Sequence, residues 1–219
     1  MQSFIFGKSS EGLPIPAFVF GQGPYHVLVL GGVHGDETEG TTAAWGLYEK
    51  LHQAFDYQLK VTLVPMLNID GVIHKTRQNA RGIDLNRNMA TKDWSPEIKG
   101  PRYQPGPAPN SEPETQALAA FVDQQKPHLI VSLHSWHPVL NVNGACESEA
   151  QVLSQWTGYK VDTDIGYPTP GCLGTYAGLE RQSPTITYEI ERGQKTPEIL
   201  KMHVPALLEL FKSLEGKSK

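Results

Sequence analysis

Apolar residues fall along this chain in short runs, and the period of those runs changes from place to place. Residues 26–30 (His-Val-Leu-Val-Leu) form a continuous apolar run and predict a buried strand; residues 17–20 predict another. Over residues 38–54 the apolar positions recur every three to four residues. Ala44, Leu47, Tyr48 and Leu51 share one stripe, as on a helix packed against a core. Residues 60–65 (Lys-Val-Thr-Leu-Val-Pro) return to a β-branched strand pattern. From residue 66 to 110 the pattern is lost. That stretch holds Gly71, Gly82, Gly100 and Gly106, and five prolines between Pro96 and Pro109. Structureless loops longer than about 15 residues are uncommon in compact domains unless they carry function.

Periodicity resumes at Ser111-Glu112-Pro113-Glu114. Ser111 is placed to cap a helix, with Glu114 as its capping-box partner and Pro113 in the first turn; the helix is expected to reach about residue 125. Residues 128–134 and 139–143 read as strands, 148–157 as a helix and 185–190 as a strand. Thr196, followed by Pro197, opens a last helix to about residue 214, with Ile199, Leu200, Val204, Leu207 and Leu208 as its apolar stripe. Strands alternating with helices imply an α/β sandwich with a largely parallel sheet. In such sheets ligands bind at the carboxyl ends of strands.

Composition narrows the picture. A chain of 219 residues, 39% hydrophobic, is expected to form a single domain over residues 1–219 with an ordinary core. The longest apolar runs are only a few residues, far short of the roughly 20 needed to span a membrane. The 19 basic and 23 acidic residues leave a net charge of −4, which argues against broad nucleic-acid affinity. Cys146 and Cys172 cannot form a disulfide framework, and buried free thiols are expected of them. The amino terminus has no basic head followed by an apolar stretch, so no secretory signal is read and the cytoplasm is the expected compartment.

The chemistry concentrates at strand ends. After residues 27–30 comes Gly31-Gly32-Val33-His34-Gly35-Asp36-Glu37; after 129–133 comes His134; at the end of 185–188 comes Glu189. His34, Glu37 and His134 make a His₂Glu set, which suits a zinc ion with a fourth position open for water. A lone His-x-x-Glu is common and says little. His26, His52, His74, His128, His137 and His203 have no such partners and are expected to be surface or packing residues. The segment from Lys75 to Asn88 (KTRQNARGIDLNRN) gathers three arginines among carboxylate and amide side chains. Adjacent Asn86 and Arg87 can grip a carboxylate by bidentate hydrogen bonding.

Together these segments resemble the zinc carboxypeptidase superfamily. The pattern is Gly-Gly-x-His-Gly-x-Glu, then Arg-x-Asn-x-x-Gly-x-Asp-Leu-Asn-Arg-Asn, Ser-Glu-Pro-Glu-Thr, Ser-Leu-His-Ser and a late Glu, spanning roughly residues 31–192. The short chain and the stretch 166–174 (GYPTPGCLG) are most similar to the murein peptide amidase branch, whose members cut the γ-D-glutamyl–meso-diaminopimelate bond of cell-wall peptides inside the bacterial cell. The resemblance implies a three-layer sandwich with a mixed, largely parallel sheet. It implies one zinc ion per chain on His34, Glu37 and His134, and Glu189 as general base and proton shuttle. Arg77 would polarise the scissile carbonyl and stabilise the oxyanion. Asn86 and Arg87 would bind the substrate carboxylate, and Tyr167 falls near the mobile substrate-binding tyrosine. Asp84 is a candidate partner for a ligating imidazole. Arg81 stands where relatives often carry a smaller amide, and is expected to join Arg77 and Arg87 in a cationic pocket. The partner implied is a small peptide with several carboxylates. Aspartoacylases and succinylglutamate desuccinylases share part of the pattern and imply an alternative, deacylation of N-acyl amino acids; Ser111–Thr115 favours the peptidase branch.

Overall fold

The computed structural model describes residues 1–217. Eight strands form one mixed sheet: β1 (Gln2–Lys8), β2 (Pro14–Phe20), β3 (Tyr25–Leu30), β4 (Leu59–Val64), β5 (Leu129–Trp136), β6 (Val139–Asn143), β7 (Lys160–Asp162) and β8 (Thr185–Glu191). Their order is β1-β2-β4-β3-β5-β8-β6-β7. The central β4-β3-β5-β8 block is parallel; β1–β2, β2–β4 and β6–β8 are antiparallel, and β7 joins β6 in parallel. The chain leaves β3 for β4 on one side and later lays β5 on the other. That reversal is where an open α/β sheet forms a ligand crevice.

Helices α1 (Thr38–Gln53), α4 (Glu147–Thr157) and α5 (Thr196–Ser213) pack against each other and one face of the sheet; α3 (Pro113–Gln125) covers the other. Alternation along the strands feeds both layers. Val27, Val29, Leu129, Val131, Ile186 and Tyr188 enter one core, and Leu28, Leu30 and Ile130 the other. The stripe of α1 is buried at Ala44, Leu47 and Leu51, and that of α5 at Ile199, Val204 and Leu207. Leu200 remains partly exposed at the edge of α5, where it covers Gly46 of α1.

The structure departs from the sequence expectation in several places. Strands β1 and β7 and the single π-helical turn Gly174–Leu179 were not foreseen. Within residues 66–110 lie a short helix, α2 (Ile69–His74), and one 3₁₀ turn, Leu85–Arg87. The rest of that stretch is held by carboxamides. Asn88 donates to the carbonyls of Pro105 (2.7 Å) and Ala108 (3.0 Å) and accepts from Thr115 Oγ1 (2.7 Å).

The capping box on Ser111 does not form. α3 begins one residue later, with Glu112 at its N-cap, and Ser111 donates to the Glu112 carboxylate instead. Glu114 is fully buried and accepts from the Ser10 N–H (2.7 Å) and hydroxyl (2.9 Å) and from Asn79 Nδ2 (3.3 Å). A buried carboxylate needs compensation, and the amino-terminal hairpin supplies it better than the N-cap amide would.

His26 and His203 are packing residues, as expected, and both are buried. His203 lies between the Tyr188 hydroxyl (2.6 Å) and Gln194 Oε1 (2.6 Å); His26 meets Thr62 Oγ1 (2.9 Å). Burial pushes both imidazoles down to about 4. The folded state therefore prefers them neutral, while the unfolded chain takes up protons near 6.5. Stability is full above that value and falls as pH drops from 6.5 toward 4. Urea unfolding at pH 7 and pH 5 should show this loss, and H203Q should shrink the difference between the two pH values.

Candidate active site

Strand parity decides which side chains reach the crevice. Ser132, His134, Thr187 and Glu189 share the parity of Ile130, so they lie on the α3 face, beyond the carboxyl-terminal limit of its apolar core. His134 and Glu189 are register partners across β5 and β8. His34 and Glu37 come from the turn between β3 and α1, and Glu37 is the N-cap residue of α1. A few residues into α1, Gly40 lies directly on β5: a Cβ there would sit 2.5 Å from the Leu133 carbonyl oxygen. The helix that starts at Glu37 is thus in backbone contact with the strand that carries His134.

The three residues converge. His34 Nδ1 and His134 Nδ1 are 3.2 Å apart, and each is 2.9 Å from a different oxygen of Glu37. One ligand atom from each residue lies within 4.8 Å of the others, and all three residues are buried. Two ring nitrogens facing each other and one carboxylate could hold a divalent cation, and zinc favours this mixture of nitrogen and oxygen. The distal nitrogens are occupied. His34 Nε2 is 2.9 Å from Asp84 Oδ1, and His134 Nε2 is 3.0 Å from Ser132 Oγ. Such partners fix the ring orientation of a ligating histidine.

Arg77 bridges this cluster, with Nε 3.1 Å from Asp84 Oδ2 and Nη1 3.0 Å from Glu37 Oε1. Burial opposes ionisation of both carboxyls. It is outweighed by His34 and His134 at Glu37, and by His34 and Arg77 at Asp84, so both lie well below the usual carboxylate range. Glu189 goes the other way. Burial pushes it up to about 7, against the pull of His134, and its Oε2 is buried without a hydrogen-bond partner. A carboxyl so raised takes and returns a proton near neutral pH.

A cavity of about 400 Å³ opens over these groups. Asn86, Arg87 and Tyr167 line it, so the sequence-predicted residues come together at one site. Asn86 Oδ1 accepts from the Leu173 N–H (2.9 Å), and Arg87 Nη1 donates to the Asn86 carbonyl (2.7 Å). Tyr167, half-exposed, stands where this cavity meets a second of about 370 Å³ whose walls include Pro105, Pro168 and Pro170.

Arg81 is the exception. It is 57% exposed, lies 3.7 Å from Glu112, and does not line the cavity. The cations there are Arg77, Arg87, Arg102 and Arg192. Sequence reasoning missed Arg102 and Arg192, and also Tyr103, whose ring faces the guanidinium carbons of Arg77 (5.4 Å) and Arg87 (5.6 Å). It missed Asn141 and Asn143 of β6 and Thr187 of β8 as well. The strict alternation Leu140-Asn141-Val142-Asn143 was the available signal, since Leu140 and Val142 enter the core and their neighbours must face the other way.

Comparison with known proteins agrees with this geometry. The zinc carboxypeptidase family model matches residues 1–195. Murein peptide amidase A of Vibrio campbellii is 31% identical over 203 residues, covering 84% of this chain and 77% of that protein. Murein peptide amidase A of Escherichia coli K12 is 30% identical over 191 residues, covering 78% and 74%. The crystal structure of murein-tripeptide amidase from Escherichia coli O157 superposes with a TM-score of 0.82 at 26% identity, covering 97% of this chain and 92% of that one. With the family model matched over most of its length, and with the expected sandwich and mixed sheet in place, this chain belongs to the zinc carboxypeptidase family and is a hydrolytic metallopeptidase.

Proposed function

We propose that this metallopeptidase is a zinc-dependent amidase that hydrolyses the γ-D-glutamyl–meso-diaminopimelate bond of murein peptides. The observation that carries this reading is one cavity lined by His34 and Glu37 of the His₂Glu set, by Glu189, whose buried Oε2 has no hydrogen-bond partner, and by four arginines. Such a pocket suits a peptide with several carboxylates, and the relatives named as murein peptide amidases support that class. Residues 1–217 read as one catalytic unit, since a single sheet carries β1 and is backed by α5. Two buried, unbridged cysteines fit a reducing compartment, which favours the cytoplasm. Among the described residues no helix is long and apolar enough to cross a membrane.

His34, Glu37 and His134 would hold one zinc ion, which supplies Lewis acidity and makes water nucleophilic near neutral pH. Glu189 accepts the proton of the attacking water and returns it to the leaving amine, because an amide does not release an amine anion. Arg77 offers its guanidinium to the oxyanion that develops on the scissile carbonyl. Before substrate arrives, that guanidinium rests on Glu37 and Asp84, so it is oriented in advance. Asn86 and Arg87 grip the diaminopimelate carboxylate next to the scissile bond. Tyr167 closes over the substrate from the cavity rim, and Asn141, Asn143 and Thr187 offer polar atoms to the distal end of diaminopimelate.

Protein purified without added metal should carry about one equivalent of zinc by elemental analysis. His34→Ala should lose it; full metal content in that variant would remove His34 from the ligand set. Glu189→Gln should keep both zinc and fold while turnover falls about 10²-fold or more. Near-normal activity would exclude Glu189 as the base. Arg77→Ala should lower kcat more than it raises KM, because the charge it meets appears in the transition state.

The substrate class is tested by kcat/KM for two γ-D-glutamyl tripeptides at the same salt concentration, one with diaminopimelate and one with Lys at the same place. Lys lacks the distal carboxylate, and a site built for that group should disfavour its absence by at least about tenfold. Equal values, or a preference for a carboxyl-terminal aromatic residue, would mean a general carboxypeptidase. Faster turnover of an N-acyl amino acid would mean a deacylase.

A further inference from the structure

Of the four arginines that line the cavity, Arg102 and Arg192 are not yet matched to a particular substrate group. Asp36, between the candidate ligands His34 and Glu37, accepts at Oδ2 from both Arg102 Nη2 (2.9 Å) and Arg192 Nη2 (3.1 Å). Arg192 Nη2 also reaches the Asp36 carbonyl (3.0 Å). Both arginines line the cavity, and their side chains are 51% and 36% exposed.

The charges do not balance. One carboxylate serves two guanidiniums through a single oxygen, and Asp36 Oδ1 is buried without a partner. Neither arginine makes the two-bond pairing of which the fork is capable, so each retains free N–H donors and the wall keeps one net positive charge. Arg192 lines the same cavity as Glu189. An anion placed there would sit beside the proton-transfer group.

This wall is distinct from the one formed by Asn86 and Arg87. Asn86 leans on Leu173, in the stretch that follows Tyr167, whereas the other cluster ties Arg102, farther along the β4–α3 segment, to Asp36 of the β3–α1 turn and to Arg192 just after β8. Asn86 and Arg87 account for the carboxylate on the amine side of the scissile bond. In a γ-glutamyl substrate three carbons separate the scissile carbonyl from a second carboxylate, the α-carboxylate of the acyl side. We infer that Arg102 and Arg192, held by Asp36, form the subsite for this acyl-side carboxylate and select acyl donors that carry one. The inference rests on the amidase reading, whose own failure the test below separates.

The experiment uses zinc-loaded enzyme and two substrates, γ-D-glutamyl-diaminopimelate peptide with its glutamyl α-carboxylate free and the same peptide with that group as a carboxamide. Wild-type kcat/KM should favour the free acid by about tenfold or more, the range of a charge-assisted pair. In R102Q the ratio should fall toward one, chiefly through the acid substrate, and R102K, which keeps charge without the fork, should lie between. A ratio that is the same in wild type and R102Q, with both substrates still cut, overturns the subsite and leaves the amidase reading standing. If wild type cuts neither substrate, the amidase reading fails, and calorimetric titration with N-acetyl-D-glutamate decides the subsite. Binding by wild type that is weakened in R102Q supports it; equal binding, or none to wild type, overturns it.

Discussion

The site is organised by the need to compensate one buried anion. Glu37 is 4% exposed, and its oxygens meet His34 Nδ1 and Arg77 Nη1 on one side and His134 Nδ1 and the Ser135 N–H on the other. An ionised carboxylate left alone in such a place would cost several kcal/mol. Each partner must therefore be delivered from a different part of the chain: His134 and Ser135 by β5, Arg77 by the segment after α2, and His34 by the same turn. Asp84 then holds His34 by its other ring nitrogen and Arg77 by its Nε. The N-terminus of α1 adds its favourable dipole, because Glu37 occupies the N-cap position of that helix.

Delivery of Arg77 explains the construction of the long segment between β4 and α3. With little regular structure, its backbone groups need other partners. Asn68, Asn79 and Asn88 supply many of them. Asn68 Nδ2 reaches the Val33 and Arg77 carbonyls, which ties the segment to the His34 turn. Asn79 accepts from the Arg81 and Ile83 amides and donates to Glu112 and Ser10. The buried Glu112 and Glu114 are thus part of the scaffold of this segment, and Ser-Glu-Pro-Glu-Thr is a tertiary clasp more than a helix start.

That distinction marks what was legible in the sequence. The central strands, the main helices and the residues at the strand ends could be read because periodicity and dense polar motifs are local signals. Whether Glu114 bonds its own helix or a hairpin far away in the chain is not a local matter, and the capping-box expectation failed there. Arg81 and Arg102 show the same limit. Arg81 lies in the polar motif yet turns to Glu112, while Arg102 sits among prolines with no motif of its own and reaches Asp36. Strand β7, only three residues long, and the π-helical turn carry too few residues for a period to register. Asn141 and Asn143, by contrast, were readable from alternation once the strand was assigned.

The contact of Gly40 with β5 bears on how such a protein can diverge. The spacing between the Glu37 end of α1 and His134 is fixed by backbone against backbone, with no side chain interposed. Core residues under α1 and β5 can then be exchanged without passing their change in volume to the site, so long as this glycine stays. Sequence drift and site geometry become nearly independent variables. A TM-score of 0.82 at 26% identity is the outcome such decoupling permits.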